Sequence, residues 1–256
     1  MSQTSHSHSH THTENDNAHH THAHHSSGGF KEANRQWFDS KAHSHEGGYE
    51  TQPAAQEMAN KISATVLETF PFDKSQTVMM DFACGTGMIS QRLAQHTKSI
   101  IGVDISPKSV DFFNERAAQQ GASPEQMKAI CADLTERGKV ENDLFGGILF
   151  DVIVCSVGYH HFEDVDAITK VLVSYLKPGV GTLVIIDFIE SPEAEQILKS
   201  HGHVVVNTGG FNEEMIKSAF VREGGLQAFS FKPAFQAVMH ERIVNMFVAK
   251  GVRPSL

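Results

Sequence analysis

The sequence has little of several features that would restrict where the protein works and what it binds. Only three cysteines are present, Cys84, Cys131 and Cys155, and their spacing forms no disulfide framework, so we expect a reducing compartment: the cytoplasm, with the nucleus as a second location. No apolar run is long enough to cross a bilayer and no secretory leader is present, so no membrane partner is expected. The formal net charge is -9 and no basic run is interleaved with aromatic residues, which argues against nucleic acid as a partner.

What remains is the composition of a globular protein with one unusual end. Of the 256 residues, 40% are hydrophobic and 20% are charged, enough for one α/β domain with appendages. Residues 1–29 are mostly His, Ser, Thr and Asn, which cannot bury enough apolar surface to offset chain entropy, so we predict a disordered tail. Its histidines allow two interpretations: a metal- or pH-sensitive arm that contacts a protein partner, or a solvated tail with adventitious metal affinity. We favour the second, and we expect no metal cofactor.

The central feature is a strand–turn–helix pattern at residues 78–88. A buried strand carrying Asp81 runs into a turn of small residues with Gly85 and Gly87, and a helical pattern follows. Such a turn presents backbone amides and a helix N-terminus to a ligand. The next buried strand ends at Asp104, about 20 residues on, where a carboxylate is placed to bind ribose hydroxyls. The pattern therefore predicts a nucleoside-binding half-domain.

Asp81 separates two classes of nucleoside ligand. A dinucleotide needs its pyrophosphate beside the helix N-terminus, and a carboxylate there would repel it, whereas a ligand with a cationic end would be attracted. The turn also lacks the last glycine of the dinucleotide fingerprint. In these residues the chain resembles the class I S-adenosylmethionine-dependent methyltransferases. Their first motif is an acidic residue followed by three small positions, here Ala83, Gly85 and Gly87, with glycine more usual at the first of them.

The later part of the chain agrees with the fold that this resemblance implies. Strands and helices alternate, and two strands with no helix between them, 226–235 and 243–248, follow. We therefore predict an α/β, Rossmann-like, seven-stranded and mostly parallel sheet with helices on both faces and a C-terminal antiparallel strand pair. The aromatic segment before the domain is expected to be a lid, too irregular for a long helix. The predicted divisions are a tail at 1–29, an N-terminal lid and helix at 30–75 and a cofactor-binding domain at 76–256.

The resemblance implies how S-adenosylmethionine binds and S-adenosylhomocysteine leaves. Asp104 would bind both ribose hydroxyls. Ile105 and Leu134 would sandwich the adenine, and Asp133 would accept a hydrogen bond from its exocyclic amine. An acidic residue after the third strand is also a common helix cap, so this last role has a plain alternative. The full set of expected cofactor positions is Asp81, Ala83, Gly85, Gly87, Asp104, Ile105, Asp133, Leu134 and Ser156.

The stretch from residue 155 to 162 is similar to the fourth-strand motif of small-molecule methyltransferases, which often has paired histidines before a phenylalanine. One interpretation makes His160 or His161 a base that deprotonates the acceptor. The other, which we weight somewhat higher, makes them packing residues, because holding an acceptor in line with the S–CH₃ bond can supply roughly 7–11 kcal/mol by itself. No Asn-Pro-Pro-Tyr motif follows the strand, which favours a small organic acceptor with an oxygen, sulfur or nitrogen nucleophile. Its expected walls are Trp37, Tyr49, Tyr159, Phe188 and Phe211.

These motifs are specific to the superfamily and not to a substrate. The nearest resemblance is to small-molecule methyltransferases of the UbiE-like, fungal secondary-metabolism or velvet-associated kinds. Two alternatives stay open. In one, the chain keeps the fold as a regulatory subunit of a signalling complex, with the histidine-rich tail as its interaction arm; in the other, it methylates protein side chains.

Overall fold

A computed structural model describes residues 29–42, 49–135 and 144–255. Seven strands form one sheet in the order β3-β2-β1-β4-β5-β7-β6. The first five strands are mutually parallel, and β7 pairs antiparallel with both β5 and β6. The predicted fold class is confirmed. The strands are β1 Val78–Phe82, β2 Ser99–Asp104, β3 Met127–Cys131, β4 Val152–Ser156, β5 Thr182–Phe188, β6 Gln227–Met239 and β7 Arg242–Val252.

The helices connect the parallel strands and cover both faces of the sheet. Several begin at side-chain caps: Ser106 accepts a hydrogen bond from the Ser109 amide, and Asp164 accepts one from the Ala167 amide. The final helix passes into a π-helical turn, Ser218–Glu223. The α-helices are α1 Gly29–Lys41, α2 Pro53–Thr69, α3 Met88–Leu93, α4 Pro107–Gln119, α5 Val165–Ser174, α6 Pro192–Lys199 and α7 Glu213–Lys217.

Two of these helices differ from the sequence-based expectation. The segment predicted to be too irregular for a long helix forms the 13-residue α1, because polar contacts to the domain hold it where its weak apolar pattern alone would not. The stretch after β5, for which no helix was predicted, contains α6, which begins at the cap Ser191 and a first-turn proline. Disorder was predicted for a tail at 1–29, of which residues 1–28 lie outside the described residues and Gly29 begins α1.

The central strands are continuous apolar runs in the sequence because both of their faces lie in the core. In β5 all seven residues are buried, and in β4 all but the last are, because helices cover both faces of the sheet. Within the described ranges, no helix is both long and apolar enough to cross a membrane.

The strand order fixes where a ligand site forms. The chain runs outward from β1 to β2 and β3, and then returns to place β4 on the other side of β1. In open parallel sheets the crevice at the carboxyl ends of the two strands flanking such a reversal is the usual ligand site. Here that crevice lies between the turn after β1 and the loop after β4.

Candidate functional site

A cavity of about 490 Å³ occupies the crevice at the carboxyl ends of β1 and β4. This volume is within the ~300–1,000 Å³ typical of small-molecule sites. Its wall is mainly apolar, with a few carboxylates and one imidazole. The residues predicted from the sequence that do line it are Ala83, Gly85, Asp104, Ile105, Asp133, Leu134 and His161.

The turn between β1 and α3 forms one side of the cavity. Ala83 and Gly85 both line it and both have positive φ, 57° and 51°. A Cβ added to Gly85 would meet no atom within 4 Å, so the space beside its backbone is open to a ligand. Gly87 is different: its φ is 86°, and a Cβ there would lie 2.5 Å from the Phe113 ring of α4. Packing against α4 therefore requires the second glycine, which is not part of the cavity wall.

Asp104, the last residue of β2, lies beside this turn. Its Oδ2 accepts a hydrogen bond from the Gly85 amide at 2.8 Å, and its Oδ1 accepts one from the Ser106 amide at 2.9 Å. Burial raises the pKa of Asp104, and the backbone hydrogen bonds oppose that rise. A carboxylate oxygen can accept two hydrogen bonds, so each oxygen keeps capacity for a donor from the cavity.

Asp81 lies behind the turn rather than on the cavity wall. Its carboxyl is buried and accepts a hydrogen bond at 2.6 Å from the Ser90 hydroxyl of α3. Burial raises the pKa of Asp81 to about 7. Its position links the end of β1 to α3, so it supports the turn from beneath. Ser156, at the end of β4, is half-buried and also lies outside the lining.

Asp133 follows β3 and lines the cavity opposite the turn. Its Oδ2 forms an ion pair with Nζ of Lys31 at 2.8 Å, and its Oδ1 accepts a hydrogen bond from the Thr135 amide at 2.8 Å. Burial by itself would raise the pKa of Asp133, but the hydrogen bonds from Lys31 and Thr135 outweigh it and lower that pKa. The Asp133 carboxylate is therefore charged and already paired with Lys31 of α1.

The paired histidines after β4 occupy two different environments. His160 is only 3% exposed, and its Nδ1 lies 2.9 Å from Oδ1 of Asp187 on β5. Asp187 also accepts hydrogen bonds from the backbone amides of His160 and Phe188, at 3.3 and 2.8 Å. This closed network joins β4 to β5 beneath the site, and it agrees with the packing interpretation for His160.

His161 is the histidine that lines the cavity. Its Nδ1 lies 2.8 Å from the Val204 carbonyl oxygen. Because a carbonyl only accepts, Nδ1 carries the proton and Nε2 keeps its lone pair. Burial lowers the pKa of His161 to about 3, and the neighbouring His160 adds to that effect. The ring is therefore a neutral imidazole at physiological pH, with Nε2 able to accept a hydrogen bond.

One face of α1 completes the cavity. Lys31, Asn34 and Phe38, spaced three and four residues apart, all line it. One residue further on, Oδ1 of Asp39 accepts a hydrogen bond from the Ser106 hydroxyl at 2.6 Å, next to Asp104. The segment predicted as a lid is thus a helix that forms part of the wall and is tied to the end of β2.

Four of the aromatic residues predicted to wall the acceptor site lie away from this cavity. Tyr159 and Phe188 are fully buried in the core. Phe211 lines a smaller neighbouring cavity of about 310 Å³. Trp37 packs beside His201, with 6.2 Å between ring centroids, whereas the adjacent Phe38 faces the cavity. Tyr49 begins the short 3₁₀ helix Tyr49–Thr51, and its side chain lies outside what the structure describes.

The wall also contains residues that the sequence pattern did not single out. Phe82 and Phe162 stack with ring centroids 5.4 Å apart, which closes the side between β1 and β4. Val157 lines the cavity with a φ of 53°, an unusual value for a β-branched residue. Asn34 lies on α1, and helical spacing from Phe38 is the only signal that could have indicated it.

With this geometry established, comparison with known proteins is informative. Residues 79–179 match the methyltransferase domain family. An uncharacterized methyltransferase of Schizosaccharomyces pombe is 33% identical over 156 residues, which are 57% of this chain and 52% of the relative. Sterol 4-C-methyltransferase of Caenorhabditis elegans is 26% identical over 122 residues, which are 48% of this chain and 34% of that protein. The chain thus spans about half or less of these curated relatives.

Solved structures share the fold over a longer stretch. N-methyltransferase NodS from Bradyrhizobium japonicum, solved with S-adenosylhomocysteine, superposes with a TM-score of 0.62 at 16% identity, covering 87% of this chain and 100% of that one. Magnesium protoporphyrin IX methyltransferase from Synechocystis gives a TM-score of 0.62 at 19% identity, covering 87% and 99%. The fold is shared with these methyltransferase structures. Together with the match of residues 79–179 to the methyltransferase domain family, this agrees with the resemblance seen in the sequence.

Proposed function

We propose that this chain is an S-adenosylmethionine-dependent methyltransferase that acts on an oxygen, nitrogen or sulfur atom of a small organic molecule. The observation that carries the proposal is the relationship between Asp104 and Gly85. A half-buried carboxylate with spare hydrogen-bonding capacity is held 2.8 Å from the amide of a glycine whose other side is open space. That combination suits a ligand whose ribose hydroxyls bind the carboxylate and whose methionine part lies against the turn.

The remaining cavity residues fit the rest of the nucleoside. Ile105 and Leu134 supply apolar surface for the adenine, and Asp133 supplies an acceptor for its amine. NodS, which shares the fold, was solved with S-adenosylhomocysteine bound, which supports the same ligand here. Asp81 and Gly87, predicted as ligand contacts, are instead assigned the task of shaping the turn.

The bound cofactor supplies an electrophilic methyl group, so this chain's own residues have mainly to position the acceptor. Val157 and Gly158, at the end of β4, line the part of the cavity that His161 also lines. A nucleophile held there in line with the methyl would react without a large further activation. Of the two histidines, only His161 is placed to take its proton, because its neutral Nε2 is available while His160 is bound to Asp187.

A small acceptor is favoured over a macromolecule by the cavity itself. The α1 helix lines it and is anchored at Lys31, Asn34 and Asp39, so a polymer would have to displace that helix. The names of two similar proteins, magnesium protoporphyrin IX methyltransferase and sterol 4-C-methyltransferase, refer to small molecules. The free state of Cys84, Cys131 and Cys155 supports a reducing, cytoplasmic setting.

Labelled S-adenosylmethionine incubated with the full chain and a cell lysate tests the proposal. Label in the small-molecule fraction supports it. Label in protein would indicate a protein methyltransferase instead. Cofactor binding by calorimetry with no label transferred to either fraction would indicate a regulatory subunit. Absence of cofactor binding would overturn the assignment of the site.

A further inference from the structure

Asn34 is a buried polar residue of α1 that the proposed cofactor site does not explain. It lines the cavity and is only 5% exposed. Its Nδ2 donates hydrogen bonds to the Phe30 carbonyl at 2.9 Å and to the Val204 carbonyl at 2.8 Å. Its Oδ1 is buried and has no hydrogen-bond partner among the residues that the structure describes.

The two carbonyls dictate which way this amide faces. Exchanging its oxygen and nitrogen would set Oδ1 against two oxygen atoms that can only accept. Buried polar atoms almost always have a partner in folded proteins, so an unpartnered oxygen beside a cavity calls for a donor from outside the described residues. A bound molecule with an N–H or O–H group would supply it.

The Val204 carbonyl also orients His161. It accepts from Nδ1 of His161 at 2.8 Å and from Nδ2 of Asn34 at 2.8 Å. One backbone oxygen therefore fixes two side chains from different elements, α1 and the segment after β4. Each side chain uses its donors on backbone carbonyls and keeps an acceptor, Oδ1 in one and Nε2 in the other. No donor from Asn34 or His161 is left for the cavity.

We propose that Asn34 Oδ1 and His161 Nε2 form a two-acceptor subsite that binds a methyl acceptor carrying two hydrogen-bond donors, one of them on the atom that is methylated. This rests on the proposed function and goes beyond it by naming the substrate class: diols, catechol-like rings, amino alcohols or molecules of equivalent pattern. Asn34 binds the donor that stays, and His161 binds the donor that reacts.

The reaction then balances within the site. The X–H bond of the reacting group breaks and its proton passes to Nε2 of His161, while the electron pair of X forms a bond to the methyl carbon. The S–CH₃ bond breaks, and the sulfur keeps that electron pair and becomes a neutral thioether. The proton on His161 later leaves to solvent, so no oxidant or further reactant is required.

A subsite of two acceptors should reject molecules that lack donors. A site built to hydrogen-bond a substrate group discriminates strongly against the analogue without it, because its own buried atoms would stay unpaired. Catechol, phenol and anisole offer two, one and no donors on nearly the same ring, and the apolar wall that includes Phe38 accepts such a ring. They are therefore suitable probes.

Calorimetry of these three probes with the full chain, saturated with S-adenosylhomocysteine, is the test. Catechol should bind about tenfold more tightly than phenol, and phenol about tenfold more tightly than anisole, since each tenfold step corresponds to about one hydrogen bond. Asn34→Leu should abolish the difference in affinity between catechol and phenol and keep the difference between phenol and anisole. Asp39→Ala is the matched control, because it loosens α1 at its other end and should change all three affinities alike.

Equal affinity of the wild-type chain for all three probes, including none measurable, would overturn the proposal, and this result needs no variant. A loss of affinity for S-adenosylhomocysteine in Asn34→Leu, with the order of the probes unchanged, would assign Asn34 to the cofactor and also overturn it. The proposed function is tested separately, because cofactor binding by the wild-type chain is measured before the probes are added.

Discussion

Nζ of Lys31 and Oδ2 of Asp133 form an ion pair at 2.8 Å that joins α1 to the segment after β3 across the cavity. Asp133 is also the residue to which we assign the adenine amine. The lysine and the adenine therefore compete for one carboxylate, and cofactor entry would require α1 to shift or Lys31 to turn away.

Lys31→Met tests this competition. Without the lysine, S-adenosylmethionine should associate faster, by up to roughly fivefold, since partly exposed ion pairs contribute about 0.2–1 kcal/mol. Stopped-flow measurement of cofactor binding gives the rate. Lys199→Met removes a comparable exposed ion pair within α6, with Glu195, and serves as the control that should leave the rate unchanged. Slower association in Lys31→Met would mean that the lysine assists the cofactor.

Asp104 should dominate cofactor affinity. Asp104→Ala removes both acceptors for the ribose and should weaken binding of S-adenosylhomocysteine at least about a hundredfold, the scale of two hydrogen bonds to a charged group. Asp104→Asn, which keeps the shape and one acceptor oxygen, should lose less. Calorimetry measures both, and circular dichroism verifies the fold. Unchanged affinity in a folded Asp104→Ala would remove the ribose assignment.

Gly85 and Gly87 should respond differently to alanine. Gly87→Ala places a Cβ 2.5 Å from the Phe113 ring at a φ of 86°, so the free energy of unfolding should fall by about 1–3 kcal/mol. Gly85→Ala meets no protein atom, so it should cost only about 1–2 kcal/mol of left-handed strain while obstructing the cofactor. Denaturant unfolding and calorimetry, run on both variants, separate the two effects. Equal loss of binding in both would mean that each glycine contacts the ligand.

His161 should affect turnover more than cofactor binding. His161→Phe removes the proton acceptor and should lower turnover roughly a hundredfold, the lower end for general bases, while affinity for S-adenosylhomocysteine stays within about twofold. The matched control is His201→Phe, since that histidine lies outside the cavity lining. Full turnover in His161→Phe would return both histidines to the packing interpretation.

Stability should depend on pH through Asp81. Its pKa is raised to about 7 in the folded chain, whereas the ordinary value is 3.8. Between these values the folded state holds a proton that the unfolded state has released, so raising the pH from 4 to 7 disfavours folding. The groups that face Asp81 are Ser90 and Asp104. Asp81→Asn, which does not titrate, should lack this decline when midpoints of urea unfolding are compared across pH. An identical pH profile in wild type and variant would contradict the assignment.

The sequence predicted the sheet well because its strands are buried on both faces and appear as apolar runs. The predicted terminal strands, 226–235 and 243–248, overlap the observed β6 and β7. The position of Asp104 beside Gly85 was also predictable, since these residues lie at fixed offsets from β2 and β1. These offsets are set by the backbone geometry of the strand–turn–helix pattern, and the local sequence determines that geometry.

The part of the cavity assigned to the methyl acceptor was less predictable, because it depends on how separate elements face one another. The choice between the adjacent Trp37 and Phe38 depends on the rotation of α1, which is set by contacts of Asn34 and Asp39 with distant parts of the chain. Aromatic residues such as Tyr159 were assigned to the wall by type, but they fill the core instead. Tertiary contacts of this kind leave no periodic signal.

The shared carbonyl of Val204 is a single backbone group that positions both acceptor atoms of the proposed subsite. It lies on the connection between α6 and α7, which follows β5 in the chain. A change in the length or path of that connection would move both acceptor atoms together. In the proposed function, such a change would alter the preference for the methyl acceptor and leave the residues assigned to the methyl donor in place.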